Sequence, residues 1–96
     1  MTTWALSADA ADDLDRLVDF LLEASPESVA TTVDLILDAL VVLVLHPKIG
    51  RLIEHSLREL VISRGKSGYL ALYDYDELAD MVLVLAVRHQ REQGYH

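Results

Sequence analysis

At 96 residues, 52% of them apolar, the chain is long enough for one packed domain, expected over residues 1–96, and too apolar to be disordered. It has no cysteine, which excludes disulfide frameworks and thiolate chemistry. Its net charge of −8 argues against a general nucleic-acid binder, because phosphate contacts need concentrated Lys and Arg.

The first few residues, Thr2 to Leu6, read as a short strand. Ser7 is placed as an N-cap, and Ala8 to Asp13 supply helix formers and acids suited to a helix start. Leu14, Leu17, Val18, Leu21 and Leu22 continue at helical spacing, with Asp12, Asp15, Arg16, Asp19 and Glu23 on the other side. Ser25-Pro26 breaks this helix, and Pro26 fits the first turn of a second. There Val29, Val33, Ile36, Leu40 and Leu43 form one stripe. The helix is expected to end near His46-Pro47, since the residue before proline is pushed out of the α region.

The hydrophobic period then changes. Arg58 to Arg64, Tyr69 to Tyr75 and Met81 to His89 are short and rich in Val, Leu, Ile and Tyr, with turn-like residues between them. They predict three consecutive antiparallel strands. The expected fold is α+β: an N-terminal helical hairpin packed on one face of a three- to four-stranded, mainly antiparallel sheet. No basic-then-apolar leader opens the sequence. The longest charge-free apolar run, Ala39 to Leu45, is far short of the roughly 18 to 20 residues that cross a bilayer. A soluble, cytoplasmic protein with no membrane partner is expected.

Charge is split unevenly along the chain. Residues 1–45 hold nine acids and one base, Arg16, while residues 46–96 hold seven of each, so the whole acidic excess lies in the first half. The last strand empties into Arg88, His89, Arg91, Tyr95 and His96, which suit proton transfer, a grip on a partner, or a solvated tail. The four histidines show no ligand spacing, so no metal is expected. Tyr69, Tyr73 and Tyr75 alternate onto one sheet face, with Leu70 and Leu72 on the other. The expectation is core-side leucines and a tyrosine-lined outer face that, with a few arginines, suits a protein–protein contact. Val41, Val42 and Leu45 point away from the sheet, leaving the second helix an apolar back that needs cover.

Taken in order, "ADDLDRLVDFLLEASPES", "HPKIGR", "LREL", "GYLALYDYD" and "VLVLAVRHQRE" resemble the ParE/RelE superfamily of toxins from bacterial type II toxin–antitoxin modules, and the ParE (plasmid stabilisation) branch in particular. That resemblance implies a toxin without a cofactor, neutralised by direct binding of a ParD-like antitoxin, with DNA gyrase as its target. The alternatives are a RelE-like, ribosome-dependent mRNA endoribonuclease and a degenerate, non-toxic homologue. In the ribonuclease branch an arginine characteristically follows the Gly-Tyr of the hairpin, and the preceding strand is basic. Here Leu70 follows Gly68-Tyr69, and the preceding strand reads Glu59, Leu60, Val61, Ile62. No catalytic residue is therefore expected, and no sequence-specific contact with nucleic acid. Antitoxin binding is assigned to Val41, Val42, Leu45, Arg58, Tyr73, Arg88 and Arg91, and target contact to His89, Arg91 and Tyr95. The antitoxin is expected to lay an apolar helix over Val41, Val42 and Leu45 and to run an extended, partly acidic tail towards Arg58, Tyr73, Arg88 and Arg91.

Overall fold

The computed structural model describes residues 1–63 and 68–89. In chain order they form β1 (Thr3–Leu6), α1 (Ala8–Ala24), a 3-10 turn (Pro26–Ser28), α2 (Val29–Leu45), β2 (Arg51–Glu54), β3 (Leu57–Ser63), β4 (Tyr69–Asp76) and β5 (Met81–His89). The sheet has five strands in the order β1-β5-β4-β3-β2, parallel between β1 and β5 and antiparallel elsewhere. The helical hairpin and the meander stand as the sequence predicts. The additional strand is β2, only four residues long and with Ile53 bulged out of register against β3. So short a run, directly after Gly50, has no alternation to reveal it. Pro26 opens the 3-10 turn rather than α2 itself, because Ser25 and Ser28 join their hydroxyls across it.

Each helix has a local cause. The Ser7 hydroxyl accepts from the Ala10 amide at 3.0 Å and so caps α1. Ala39 to Leu45 remains helical despite its valines, because Leu40 and Leu43 seat against the sheet while the backbone continues to His46. The core gathers Ile36, Leu40 and Leu43 of α2 with Ala10 of α1 and Tyr73, Val82, Val84 and Val87 of the sheet. Burying a side chain of this size contributes roughly 1.5–3 kcal/mol.

The tyrosine face is the reverse of the expectation. Tyr69 and Tyr73 point under the helices and are buried, while Leu70 and Leu72 lie half-buried on the other face. Period-2 alternation defines two faces without saying which is covered. Tyr73 takes the covered side because its hydroxyl finds backbone partners there, as a buried phenol must.

Candidate functional site

β1 pairs with only the first four residues of β5, Met81 to Val84. Past Leu6 the chain turns into α1, and side chains continue the edge. The Ser7 hydroxyl donates to the Leu85 carbonyl at 3.2 Å, and the Val87 amide donates to Asp13 Oδ2 at 3.0 Å. The other oxygen of Asp13 accepts from Arg88 and Arg16. Its carboxylate is 2% exposed, so Asp13 is a buried brace between helix and strand, and not merely an acid at a helix start. A helical stripe drawn through the leucines alone gives no sign of this. Arg88 thus has a carboxylate partner from α1. Beside it, the rings of His89 and Tyr69 meet edge to face at 5.2 Å. The other two residues assigned to this end, Arg91 and Tyr95, lie outside the described residues.

A second network holds the loop between α2 and β2. Tyr73 is fully buried, accepts from the Gly50 amide at 2.9 Å and donates to the Pro47 carbonyl at 2.8 Å. Burial pushes its phenol above the ordinary range, against the lowering effect of the Gly50 amide and the Arg58 charge. It therefore stays protonated, as a donor to Pro47 requires. Arg58, paired with Tyr73 across β3 and β4, donates to the carbonyls of Lys48 at 3.0 Å and Gly50 at 2.9 Å. Gly50 is necessary because a Cβ there would stand 2.6 Å from the Tyr73 hydroxyl and 2.9 Å from the Glu59 carbonyl. The fragments "HPKIGR", "LREL" and "LYDYD" are thus one clamp, built from a loop and two strands. Arg58 and Tyr73, expected from sequence to meet a partner's tail, hold this loop within the chain. Tyr73 has no surface to offer.

On the hairpin, Val41 is 59% and Leu45 67% exposed, with Val42 half-buried beside them. Leu37 adds to this ridge and Phe20 and Leu22 are exposed on α1. A cleft of about 130 Å³ runs between the helices, lined among others by Leu17, Leu21, Val33 and Ile36. By length and composition, Pro26–Leu45 is apolar enough to cross a membrane. Asp34 and Asp38 lie on its exposed face, however, and the opposite face is in the core. The excess hydrocarbon suits a second protein surface.

The open sheet face bears on chemistry. Glu59 pairs with Leu72 and Val61 with Leu70, so these four lie side by side, away from the helices. Arg88 stands beside Leu70 in the register and its guanidinium is bonded to Asp13. No group of three or more His, Asp or Glu side chains is arranged to hold a metal ion among the described residues.

A helical hairpin laid on such a sheet is the architecture that the ParE/RelE resemblance implies. The family model for the ParE toxin of the type II toxin–antitoxin system, parDE, matches residues 5–94, and the chain belongs to that family. It is 32% identical over 93 residues to Toxin RelE3 of Caulobacter vibrioides, covering 97% of this chain and 99% of that protein. Its fold is shared with a chain of the toxin–antitoxin complex RelBE2 from Mycobacterium tuberculosis. That match has a TM-score of 0.62 at 22% identity and covers 93% of this chain and 98% of that one. The protein is the toxin component of a type II toxin–antitoxin module.

Proposed function

We propose that this toxin inhibits DNA gyrase in the cytoplasm and that a ParD-like antitoxin neutralises it by direct binding. The observation that carries the reading is the open sheet face. Metal-free RNA cleavage needs cations around the phosphorane-like transition state and a base and an acid on either side of it. Here the central strands offer Leu70, Leu72 and Val61, and the Glu59 carboxylate among them is bonded to Arg51. The exposed hydrocarbon of Val41 and Leu45 supports capture by an antitoxin helix, since burying it stabilises a complex by about 25 cal/mol per Å² of apolar surface.

A second reading is favoured by the relative named RelE3: a RelE-like, ribosome-dependent endoribonuclease, built on His89 with Arg91 and Tyr95. Induction in a host lacking the antitoxin separates the two. Gyrase inhibition predicts filamentous cells, chromosome breaks and an SOS response, with supercoiling by purified gyrase blocked in vitro. Immediate translational arrest with codon-phased messenger cuts, lost on changing Arg91 or Tyr95, would replace this reading with the ribonuclease. Growth unaffected by induction would mark a degenerate copy.

A further inference from the structure

Asp13 departs from the pattern of its own helix. It lies on the buried side of α1, three residues after Ala10, while the nearby Asp12 and Asp15 are exposed. Its carboxylate is 2% exposed, where an apolar side chain would extend the core that Ala10 shares with Val87. A buried carboxylate set among guanidiniums adds little stability over packed hydrocarbon, because the cost of taking charge out of water offsets the attraction. Departures of this kind cluster at functional sites.

The carboxylate acts at the end of β5. β1 leaves the sheet after Leu6, so the outer edge of β5 runs on from Leu85 with no strand beside it among the described residues. Side chains at the start of α1 take the place of a strand. The Ser7 hydroxyl holds the Leu85 carbonyl, and Asp13 Oδ2 holds the Val87 amide. Asp13 Oδ1 gathers the guanidiniums of Arg88 and Arg16. Two successive residues of β5 are thus fixed from α1, and the next is His89. It stands opposite Tyr69 in the register and meets that ring edge to face at 5.2 Å. Tyr69 is itself buried, so the wall that His89 rests on is rigid.

We propose that Asp13 is a positioning residue for the toxin's action. It touches no target, and works through the Val87 amide and Arg88 to hold His89 against Tyr69, in the orientation in which the end of β5 meets the target. This rests on the reading that His89 contacts the target. Both carboxylate oxygens are needed, one for the strand amide and one for the guanidinium. An asparagine could still accept from Val87, but it would turn its own N–H groups towards Arg88, donor against donor. A contact residue held by a buried shell of this kind has less freedom to lose when it meets a partner, which lowers the cost of association.

The test induces Asp13→Asn, Arg88→Met and Arg16→Ala in a host without the antitoxin, and measures the amount of toxin that halves growth. Each purified variant is also melted, titrated with the antitoxin encoded beside the gene, and examined by NMR for cross-relaxation between the rings of His89 and Tyr69. Asp13→Asn and Arg88→Met should raise the toxin needed about tenfold, the scale of one charge-assisted hydrogen bond. Both should lose the ring cross-peaks, while antitoxin affinity stays within about twofold of wild type. Arg16→Ala, whose side chain is 69% exposed, should match wild type in every measurement. If Asp13→Asn does not fold, Arg88→Met decides alone, because it keeps the bond from Asp13 to Val87. Toxicity retained without the ring contact overturns the proposal. Toxicity lost with the ring contact intact makes Arg88 a direct contact, and loss in step with antitoxin affinity makes Asp13 a support of the fold; either overturns it too. Growth is the measure, so a wild type that leaves purified gyrase unaffected removes the gyrase reading and not this one. A wild type that does not slow growth removes the action Asp13 would serve, and overturns the proposal.

Discussion

The clamped edge and the helical hairpin meet the limits of the same small core in opposite ways. Around Gly50 a buried tyrosine and a half-buried arginine use hydrogen bonds to hold the five-residue loop 46–50, which has almost no core of its own. The hairpin makes no comparable polar contact between its helices, and it seats Ile36, Leu40 and Leu43 while leaving Phe20, Leu37, Val41 and Leu45 in water. In a 96-residue domain the core is small, and stability rests on few groups. The lesson is that the residues most exposed to a partner and those most important to folding are nearly disjoint sets here.

That separation can be broken most forcefully at Tyr73. Tyr73→Ala empties a fully buried site and frees the loop, and is expected to cost about 3–5 kcal/mol, enough to leave the chain largely unfolded in a calorimetric scan. Tyr73→Phe keeps the volume and isolates the two hydrogen bonds. It should cost roughly 1–3 kcal/mol, and a loss under 0.5 kcal/mol would show that the clamp is ornamental.

Asp13→Ala comes next. It leaves the Val87 amide without its carboxylate and removes the partner of Arg88, and about 3 kcal/mol should be lost in urea denaturation. If Asp13→Asn retained full stability, the amide bond to Val87 would carry the brace and the charge would be dispensable.

Gly50→Ala tests the tight approach of loop to ring, with an expected loss of about 1–3 kcal/mol and little change in the slope of the denaturation curve. Elsewhere on the sheet, Asp80 accepts from the hydroxyls of Thr2 and Tyr75, and these bonds hold its carboxyl below the ordinary 3.8. A carboxyl depressed on folding contributes stability above its unfolded value and loses it as pH falls through the folded one. The clip from β1 to the β4–β5 turn should therefore weaken only below about pH 4, by an amount that Asp80→Asn abolishes in an acid titration.

The smallest expected effect on folding is at the hairpin. Val41→Asp and Leu45→Asp should change stability by no more than about 0.5 kcal/mol, yet weaken antitoxin binding at every ionic strength, by setting a carboxylate in an apolar contact. A large loss of stability would mean that this ridge belongs to the core after all, and the contrast between the two regions would fail.

Much of this was legible in the chain. Helical spacing of Leu14, Leu17, Leu21, Ile36, Leu40 and Leu43 specified the hairpin, Ser7 its start and Pro47 its end. The change of period after Gly50 specified the meander, and the order of weak motifs pointed to the family. These are local properties, written in spacing, caps and turns. Long-range partners are not. Asp13 and Val87 lie 74 positions apart and Gly50 and Tyr73 lie 23 apart, and no periodicity announces that one carboxylate of three turns inward or that a tyrosine will reach a loop carbonyl. Alternation along β4 marked two faces, but only the packing of α2 decided that the tyrosines go under it. Tertiary structure therefore gave Arg58, Tyr73 and Arg88 partners within the chain, because a buried polar group must be satisfied by whichever partner the fold brings within reach.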